Sequence, residues 1–301
     1  IGNDYVRCAV YPYAHGTETL GEVIQNSCND GMMAIGRKMG AALLLDYQSR
    51  FNFGSRTGID LPNESSGAIY TLDQMKDMEL ASTTFGQGFT STMIQEISAV
   101  SAVINGGTYY QPHVVKEIKS QEDGSVLKTN EGNVLKQIVS SDVSEKIREY
   151  MGMSVTSGTS RKSKVQGYSM GGKTGTAEIL STEEKDYLVS FIGFAPLDTP
   201  QVVVYVVVDR PNVEEQADSS YAQYIAQAIL DEILPYMNIY PDEETEETTK
   251  LWDGFKGVLR LDDSEVEVNE PIVQTEGSET GTDNAQDIEV VQDESGSSEE
   301  Y

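Results

Sequence analysis

The stretch Gly171-Gly-Lys173-Thr174-Gly175-Thr176-Ala177 stands just before two near-continuous apolar segments, residues 187–195 and 201–209. Both segments are rich in β-branched and aromatic residues, and Pro196-Leu-Asp-Thr-Pro200 separates them. This pattern predicts two adjacent antiparallel strands that are covered on both faces. The Lys-Thr-Gly stretch would then lie on a strand at the edge of the same sheet.

The residue types in this stretch suit a serine acyltransferase. Lys173 can orient hydroxyl groups and lower the cost of proton transfer, while Gly175 lets a substrate approach the backbone. Thr176 can bind a carboxylate. The alternative is a chance tripeptide in a hairpin, and the motif alone does not separate the two interpretations.

Helical periodicity surrounds these strands, and Gly40 interrupts the second helical segment. Glu122-Asp-Gly124 indicates the turn of a β-hairpin. The mixture predicts an α+β fold with helices packed on a sheet. The predicted helices span residues 17–24, 32–47, 90–104, 141–151 and 218–237, and Pro241 is expected to stop the last of them.

Ser27-Cys28-Asn29 falls at the break between the first two predicted helices. A serine and an asparagine in this spacing place a hydroxyl and an amide on one side of a loop, which suits a proton relay and a substrate amide. The alternative is a helix cap, for which Ser and Asn are both favoured. The order of Ser27 and Asn29 before Lys173-Thr-Gly175 is more specific than either motif alone, because penicillin-binding proteins and serine β-lactamases share both.

From about residue 8 to 240 the chain resembles class B penicillin-binding proteins, especially those of division and sporulation. The resemblance implies a penicillin-binding, serine β-lactamase-like helix–sheet–helix sandwich with an antiparallel sheet. Residues 1–240 would form the C-terminal portion of the transpeptidase domain. The matching motifs are His15-Gly-Thr17, Asn26-Ser-Cys-Asn29, Gly58-Ile-Asp-Leu-Pro62, Phe85-Gly-Gln-Gly88, Asn105-Gly-Gly107, Gly158-Thr159, Gly167-Tyr168, Gly172-Lys-Thr-Gly-Thr-Ala177 and Ser190-Phe-Ile-Gly-Phe-Ala-Pro196.

The resemblance implies peptidoglycan D,D-transpeptidation through an acyl-serine intermediate, with no cofactor. Ser27 and Asn29 would relay protons and position the peptide, and Lys173 would hold the Ser27 hydroxyl. Thr174, Gly175 and Thr176 would bind substrate, with Thr176 contacting its carboxylate and giving a backbone N–H to the oxyanion hole. The implied partners are stem peptides ending in D-Ala-D-Ala, β-lactams and other cell-wall synthesis proteins. The implied location is the extracytoplasmic face of the membrane, with an anchor upstream of this chain.

The third motif of the family, Ser-Xaa-Xaa-Lys, carries the nucleophile, and we expect it upstream of Ile1. Ser125-Val-Leu-Lys128 spells it but follows Ser27 and is predicted to be strand. We therefore expect this chain alone to be inactive and unstable. The alternatives are a non-catalytic scaffold and a β-lactam sensor or β-lactamase relative. Gly167-Tyr-Ser169-Met-Gly171 spells a hydrolase nucleophile elbow, which requires a helix after Ser169 and a later histidine. We reject it, because a predicted strand follows Ser169 and both histidines precede it.

The charge of the chain divides it at Pro241. The formal net charge is −28, and residues 241–301 hold 20 acidic against three basic residues. A segment with this much negative charge and few large apolar residues cannot bury enough surface to fold, so residues 241–301 are predicted to be a disordered tail. The acidic balance also argues against nucleic-acid binding.

The chain has two cysteines, Cys8 and Cys28, and two histidines, His15 and His113. A zinc site takes four protein ligands, or three plus a water, and no pairing of these residues makes a plausible one, so we expect no metal. Because the resembled family works where disulfides form, Cys8 and Cys28 are a hypothetical redox pair that would constrain the Ser27 loop. The alternative is two small buried side chains.

Overall fold

The helices and strands are those of a computed structural model that describes residues 6, 8, 10–179 and 185–245. The chain contains both helices and antiparallel strands, as the predicted α+β fold requires. The helices are α1 (Leu20–Gln25), α2 (Asn29–Met39), α3 (Ala41–Arg50), α4 (Asp77–Thr84), α5 (Met93–Ile104), α6 (Ser141–Thr156) and α7 (Ser220–Tyr236). The strands are β1 (Thr108–Gln111), β2 (Glu117–Lys119), β3 (Val126–Thr129), β4 (Asn133–Gln137), β5 (Gly171–Ile179), β6 (Asp186–Ala195) and β7 (Val202–Asp209).

The site-bearing sheet is antiparallel, in the order β5-β6-β7. Lys173 on β5 pairs with Ile192 on β6, and Phe191 on β6 pairs with Val206 on β7. The two predicted apolar strands are thus adjacent, and β6 is buried along most of its length. Within the described residues β5 pairs with β6 alone, so the Lys-Thr-Gly strand lies at an edge as predicted.

Helices cover the two faces of this sheet. Phe191 packs against Ala222 and Ala226 of α7, whereas Phe194 packs against Ile104 of α5 and Met151 of α6. Side chains three positions apart on a strand point to opposite faces. The predicted helix–sheet–helix sandwich is therefore confirmed.

Helix α7 ends at Tyr236, within one residue of the predicted end, but Pro241 is not what stops it. Asn238 is left-handed at φ 58°, and its N–H donates to the carbonyl of Pro235. The Ile239 N–H donates to the carbonyl of Leu234, which completes a Schellman motif. Ile239 then packs into the cluster that contains Leu230 and Leu234, so a hydrophobic contact fixes this helix end.

The second predicted helix is two helices. Gly40 has φ 76° and separates α2 from α3, and α2 begins at Asn29 rather than near Met32. A left-handed residue cannot continue a right-handed helix. For α6 the N-terminal cap is Ser140, whose Oγ accepts from the Val143 N–H at 3.4 Å.

The predicted hairpin is formed by β2 and β3, while β1 pairs with β4. Ser125-Val-Leu-Lys128 runs from the turn into β3, whose four residues are all exposed. It does not begin a buried helix, which removes it as a nucleophile motif. Ser169 leads directly into β5, so the hydrolase-elbow interpretation also fails.

Ordered contacts continue past Tyr240. The N–H groups of Asp242 and Glu243 both donate to the Gly167 carbonyl, and Lys164 pairs with Glu243 at 2.7 Å. The predicted domain boundary at residue 240 and the disordered tail stay predictions, because residues 246–301 lie outside the described residues. None of the described helices is long and apolar enough to cross a membrane.

Replacement of Leu230 by alanine should lower the free energy of unfolding by about 2–5 kcal/mol, because this fully buried side chain fills the core between α6 and α7. Its neighbour Ile229 is 39% exposed, so Ile229→Ala should cost less than about 1 kcal/mol. Denaturant unfolding of the full-length protein measures both. Equal losses would contradict this assignment of the core.

Candidate active site

Ser27 occupies an unusual backbone position at the end of α1. Its φ is 54°, in the left-handed region that non-glycine residues seldom adopt. The Ser27 N–H donates to the Ile24 carbonyl and the Cys28 N–H donates to the Val23 carbonyl, the two bonds of a Schellman motif. Glycine is the common residue here, so a serine in this conformation indicates a use for its hydroxyl.

The Ser27 hydroxyl contacts Lys173. Lys173 Nζ donates to Ser27 Oγ at 2.8 Å and to the Thr174 carbonyl at 2.9 Å. The alternative of a side-chain cap does not hold, because the N-cap residue of α2 is Cys28 and no side chain caps it. Two motifs 146 residues apart therefore meet through side chains.

Glycines allow β5 to reach this position. A Cβ on Gly171 would lie 2.3 Å from the Phe194 ring, and one on Gly172 would lie 2.5 Å from the Phe191 ring. Only residues without a side chain let the strand approach these two rings. Burial lowers the pKa of Lys173 to about 8, because desolvation disfavours the charged ammonium.

The remaining residues of the motif follow along β5. Thr174 Oγ1 donates to Thr159 Oγ1 at 3.1 Å, and Thr176 Oγ1 donates to the Ala217 carbonyl at 3.4 Å. Alternation along a strand puts both threonines on the face opposite Lys173. One ligand can therefore meet all three side chains only along the open edge of β5. Gly175 lies opposite Ser190, whose Oγ would be 2.5 Å from an added Cβ.

A turn after α6 ties this edge to α1. The Thr159 N–H donates to the Gln25 carbonyl at 3.2 Å, and Gln25 Nε2 donates to Ser157 Oγ at 3.1 Å. A Cβ on Gly158 would lie 2.3 Å from the Gln25 carbonyl oxygen. No role for Thr159 or Gln25 was predicted from the sequence. Gly158-Thr159 within the resemblance was the one signal that could have drawn attention to the turn.

Asn29, the third residue of the first motif, is the first residue of α2 and is half-buried. The structure thus brings Ser27 and Lys173 into contact and Thr174 beside them, while Thr176 contacts the segment before α7. The roles assigned to these residues and to Asn29 stay predictions.

Cys8 and Cys28 are both free thiols, and their sulfur atoms lie within 4.8 Å of each other. The redox-pair hypothesis therefore stays a prediction. Cys28 is buried, and burial together with the Glu18 carboxylate raises the pKa of its thiol to about 12. His15 Nδ1 lies 3.6 Å from Cys8 Sγ, so the fold brings a histidine next to the cysteine pair.

The comparisons with known proteins agree with this geometry. Residues 7–231 match the family described as penicillin binding protein transpeptidase domain. Stage V sporulation protein D of Bacillus subtilis is 39% identical over 81% of this chain and 38% of its own length. The peptidoglycan D,D-transpeptidase FtsI of Escherichia coli is 26% identical over 75% of this chain and 37% of its own length. The chain thus spans about two fifths of these relatives.

Solved structures give the same result. The transpeptidase domain of penicillin-binding protein 3 from Burkholderia pseudomallei matches with a TM-score of 0.67 and 25% identity, over 77% of this chain and 68% of that one. Penicillin-binding protein 3 from Mycobacterium tuberculosis, complexed with ampicillin, matches with a TM-score of 0.71 and 26% identity, over 80% and 56%. The matched motifs, sheet and family together place this chain in the transpeptidase family of class B penicillin-binding proteins.

Proposed function

We propose that the protein containing this chain is a peptidoglycan D,D-transpeptidase, the activity by which relatives such as FtsI are named. The observation that carries the proposal is the hydrogen bond from Lys173 Nζ to Ser27 Oγ. It joins the two motifs that the family uses around an acyl-serine, on a strand edge that is open within the described residues. A chain that no longer catalysed acyl transfer would have no chemical need to keep this half-buried pair.

The reaction has two steps. A serine oxygen attacks the carbonyl carbon between the two D-Ala residues of a stem peptide, and a C–O bond forms as the C–N bond breaks. The terminal D-Ala leaves with the transferred proton. The amine of a second stem peptide then attacks the ester carbonyl, a C–N bond forms as the C–O bond to the serine breaks, and the amine proton passes to the released serine oxygen. We place the nucleophilic serine in a Ser-Xaa-Xaa-Lys segment upstream of Ile1, since Ser125 lies at the exposed β3.

Ser27 and Lys173 would carry the proton between nucleophile, leaving amine and incoming amine. The ammonium of Lys173 fixes the Ser27 hydroxyl, so the Ser27 oxygen is already oriented when a substrate arrives. The left-handed turn holds Ser27 in place without a side-chain cap. Asn29, one residue past the turn, would hold the amide of the stem peptide.

The open edge of β5 would bind the stem peptide as an added strand. Main-chain hydrogen bonds to an edge strand supply affinity, and side chains along the edge supply selectivity. Thr174 and Thr176 would lie along the peptide, with Thr176 on the terminal carboxylate and its N–H in the oxyanion hole. Gly175 leaves room for the peptide to approach.

β-Lactams would acylate the same serine, because solved relatives of this chain are complexes with ampicillin and aztreonam. The location we propose is the extracytoplasmic face of the membrane, with an anchor outside this chain. The likeness to stage V sporulation protein D and to the peptidoglycan D,D-transpeptidase FtsI supports a role in cell-wall synthesis beside other cell-wall proteins.

Labelling of the full-length protein with a fluorescent penicillin tests the function. Wild type should form a covalent adduct, and Lys173→Ala and Ser27→Ala should each slow acylation by about 10²–10⁴-fold, the size of a general acid–base contribution. Ser125→Ala and Lys128→Ala are the matched controls, because they remove the exposed decoy motif, and should label like wild type.

Other labelling outcomes identify the rival functions. A wild-type protein that folds but never labels would be a non-catalytic scaffold. An adduct that hydrolyses within seconds, with turnover of the β-lactam, would indicate a β-lactamase relative. Loss of labelling in the Ser125→Ala control would overturn the assignment of the site.

The pH dependence of acylation should report the charge on Lys173. Because the pKa of this lysine is lowered to about 8, the ammonium is present below that pH and is lost above it. The acylation rate should therefore fall as pH rises through about 8, and Lys173→Arg should remove this fall. Lys136 is the matched control, since burial also lowers its pKa but it lies on β4.

The acylation rate of Lys136→Ala should depend on pH in the same way as that of wild type. A rate that rises through pH 8 and depends on Lys173 would show that the neutral amine acts as a base, contrary to the role proposed here.

A further inference from the structure

The turn after α6 places one exposed hydroxyl beside the open edge of β5. Thr159 is exposed, and its Oγ1 accepts the hydrogen bond from Thr174 Oγ1 at 3.1 Å. No residue in the part of the chain that the structure describes accepts a hydrogen bond from the Thr159 hydroxyl. A hydroxyl carries a single proton. The proton of Thr174 is therefore already used, whereas the proton of Thr159 can be donated to a ligand.

The backbone holds Thr159 from both sides. On one side the Thr159 N–H donates to the Gln25 carbonyl at 3.2 Å, and a Cβ on Gly158 would lie 2.3 Å from the same carbonyl oxygen. On the other side Ser160 is fully buried, and its Oγ forms a hydrogen bond of 2.8 Å with the buried Ser154 Oγ. The Ser160 N–H also donates to the Ser154 carbonyl at 3.0 Å. The exposed hydroxyl is thus carried by an anchored turn.

Positive charge lies at the same end of β5. Lys173 Nζ donates to the Thr174 carbonyl at 2.9 Å, so an ammonium stands within one residue of the Thr174 hydroxyl. A cation attracts negative charge most strongly where water is partly excluded. The ligand group that suits a hydroxyl donor beside an ammonium is an anionic acceptor, and an ionised carboxylate is acceptor-only.

We propose that Thr159 is a substrate-binding residue whose hydroxyl donates to the terminal carboxylate of the stem peptide, and to the carboxylate of a β-lactam. This inference rests on the transpeptidase function proposed above and adds a contact from outside the two motifs. Thr176 Oγ1 would exchange its long bond to the Ala217 carbonyl, 3.4 Å, for one carboxylate oxygen. Thr159 would bind the other oxygen.

The spacing along β5 suits one carboxylate. Side chains two positions apart on a strand, as Thr174 and Thr176 are, lie about 6.6 Å apart on the same face. A carboxylate that accepts one hydrogen bond of about 2.6 Å at each oxygen spans a gap of this size. Because Thr159 contacts Thr174, its hydroxyl and that of Thr176 stand at the two ends of the gap.

The direction of the hydrogen bond also defines the part that Thr174 plays. Thr174 gives its proton to Thr159, so it meets a ligand with lone pairs only and does not donate to a carboxylate. Its donation polarises the Thr159 hydroxyl, which makes that hydroxyl a stronger donor. Thr174 is therefore a positioning residue for Thr159.

Acylation of the full-length protein by benzylpenicillin and by its methyl ester tests the contact, because the ester lacks the negative charge. Rates measured against concentration, in competition with fluorescent penicillin, separate binding from acylation. Thr159→Val keeps the shape and removes the hydroxyl. It should lower the second-order rate with benzylpenicillin by about 10–100-fold through weaker binding, the size of a hydrogen bond to a charged group. The loss with the ester should be at least about fivefold smaller, because a neutral acceptor forms a bond of roughly half the strength.

Three further variants complete the experiment. Thr159→Ser restores the hydroxyl and should react like wild type. Thr156→Val is the matched control, because Thr156 is an exposed threonine at the end of α6 whose Oγ1 donates to the Gly152 carbonyl at 3.0 Å, and it should also react like wild type. Thr174→Val should slow benzylpenicillin, but its effect should disappear in the Thr159→Val background, since the two hydroxyls act as a unit.

The ester reaction also shows whether Thr159→Val is folded. Equal losses with benzylpenicillin and its ester would mean that Thr159 only holds the turn, and would overturn the proposal. An unchanged benzylpenicillin rate in Thr159→Val, or the same loss in Thr156→Val, would overturn it as well. A folded wild-type protein that penicillin never labels would instead refute the transpeptidase function, and the carboxylate contact with it, before any variant is compared.

Discussion

The hydrogen bond between Lys173 and Ser27 is the contact on which the candidate site depends. It requires β5 to lie close to the end of α1, although 146 residues separate the partners. Gly171 and Gly172 let β5 approach the phenylalanine rings of β6, and Gly158 lets the turn after α6 approach Gln25. Three glycines that carry no chemistry therefore set the distance between two residues that do.

The left-handed turn at Ser27 joins the Lys173 contact to the end of α1 and the start of α2. A Schellman motif ends α1, and Cys28 then opens α2, so one turn directs the Ser27 hydroxyl toward Lys173 and contains the buried Cys28. A non-glycine residue in this conformation costs about 1–2 kcal/mol, which the packing of α1 on α6 and the Lys173 contact offset. The proposed proton relay and the buried Cys28 thus lie on one segment.

Much of the fold was predictable because its signals are local. The apolar β-branched runs of β6 and β7, the helical spacing of α5 and α6, and the hairpin turn at Gly124 each depend on neighbouring residues. The ends of elements were less predictable. Asn238 ends α7 through backbone bonds and the contact of Ile239 with the core, whereas Pro241 is only the nearest residue of helix-breaking type.

The family, the edge position of the Lys-Thr-Gly strand and the identities of Ser27, Asn29 and Lys173 were predictable from the sequence. Each depends on residue types and on the order of short motifs along the chain, which need no three-dimensional information. The packed chain was needed to show that the Ser27 hydroxyl contacts Lys173 instead of capping α2, and that Thr159 and Gln25 link α1 to the edge of β5. It also decided that Cys8, His15 and Cys28 converge. The physical reason is the same in each case. A residue type can be read from one position, but a distance between side chains depends on how every intervening helix and strand packs.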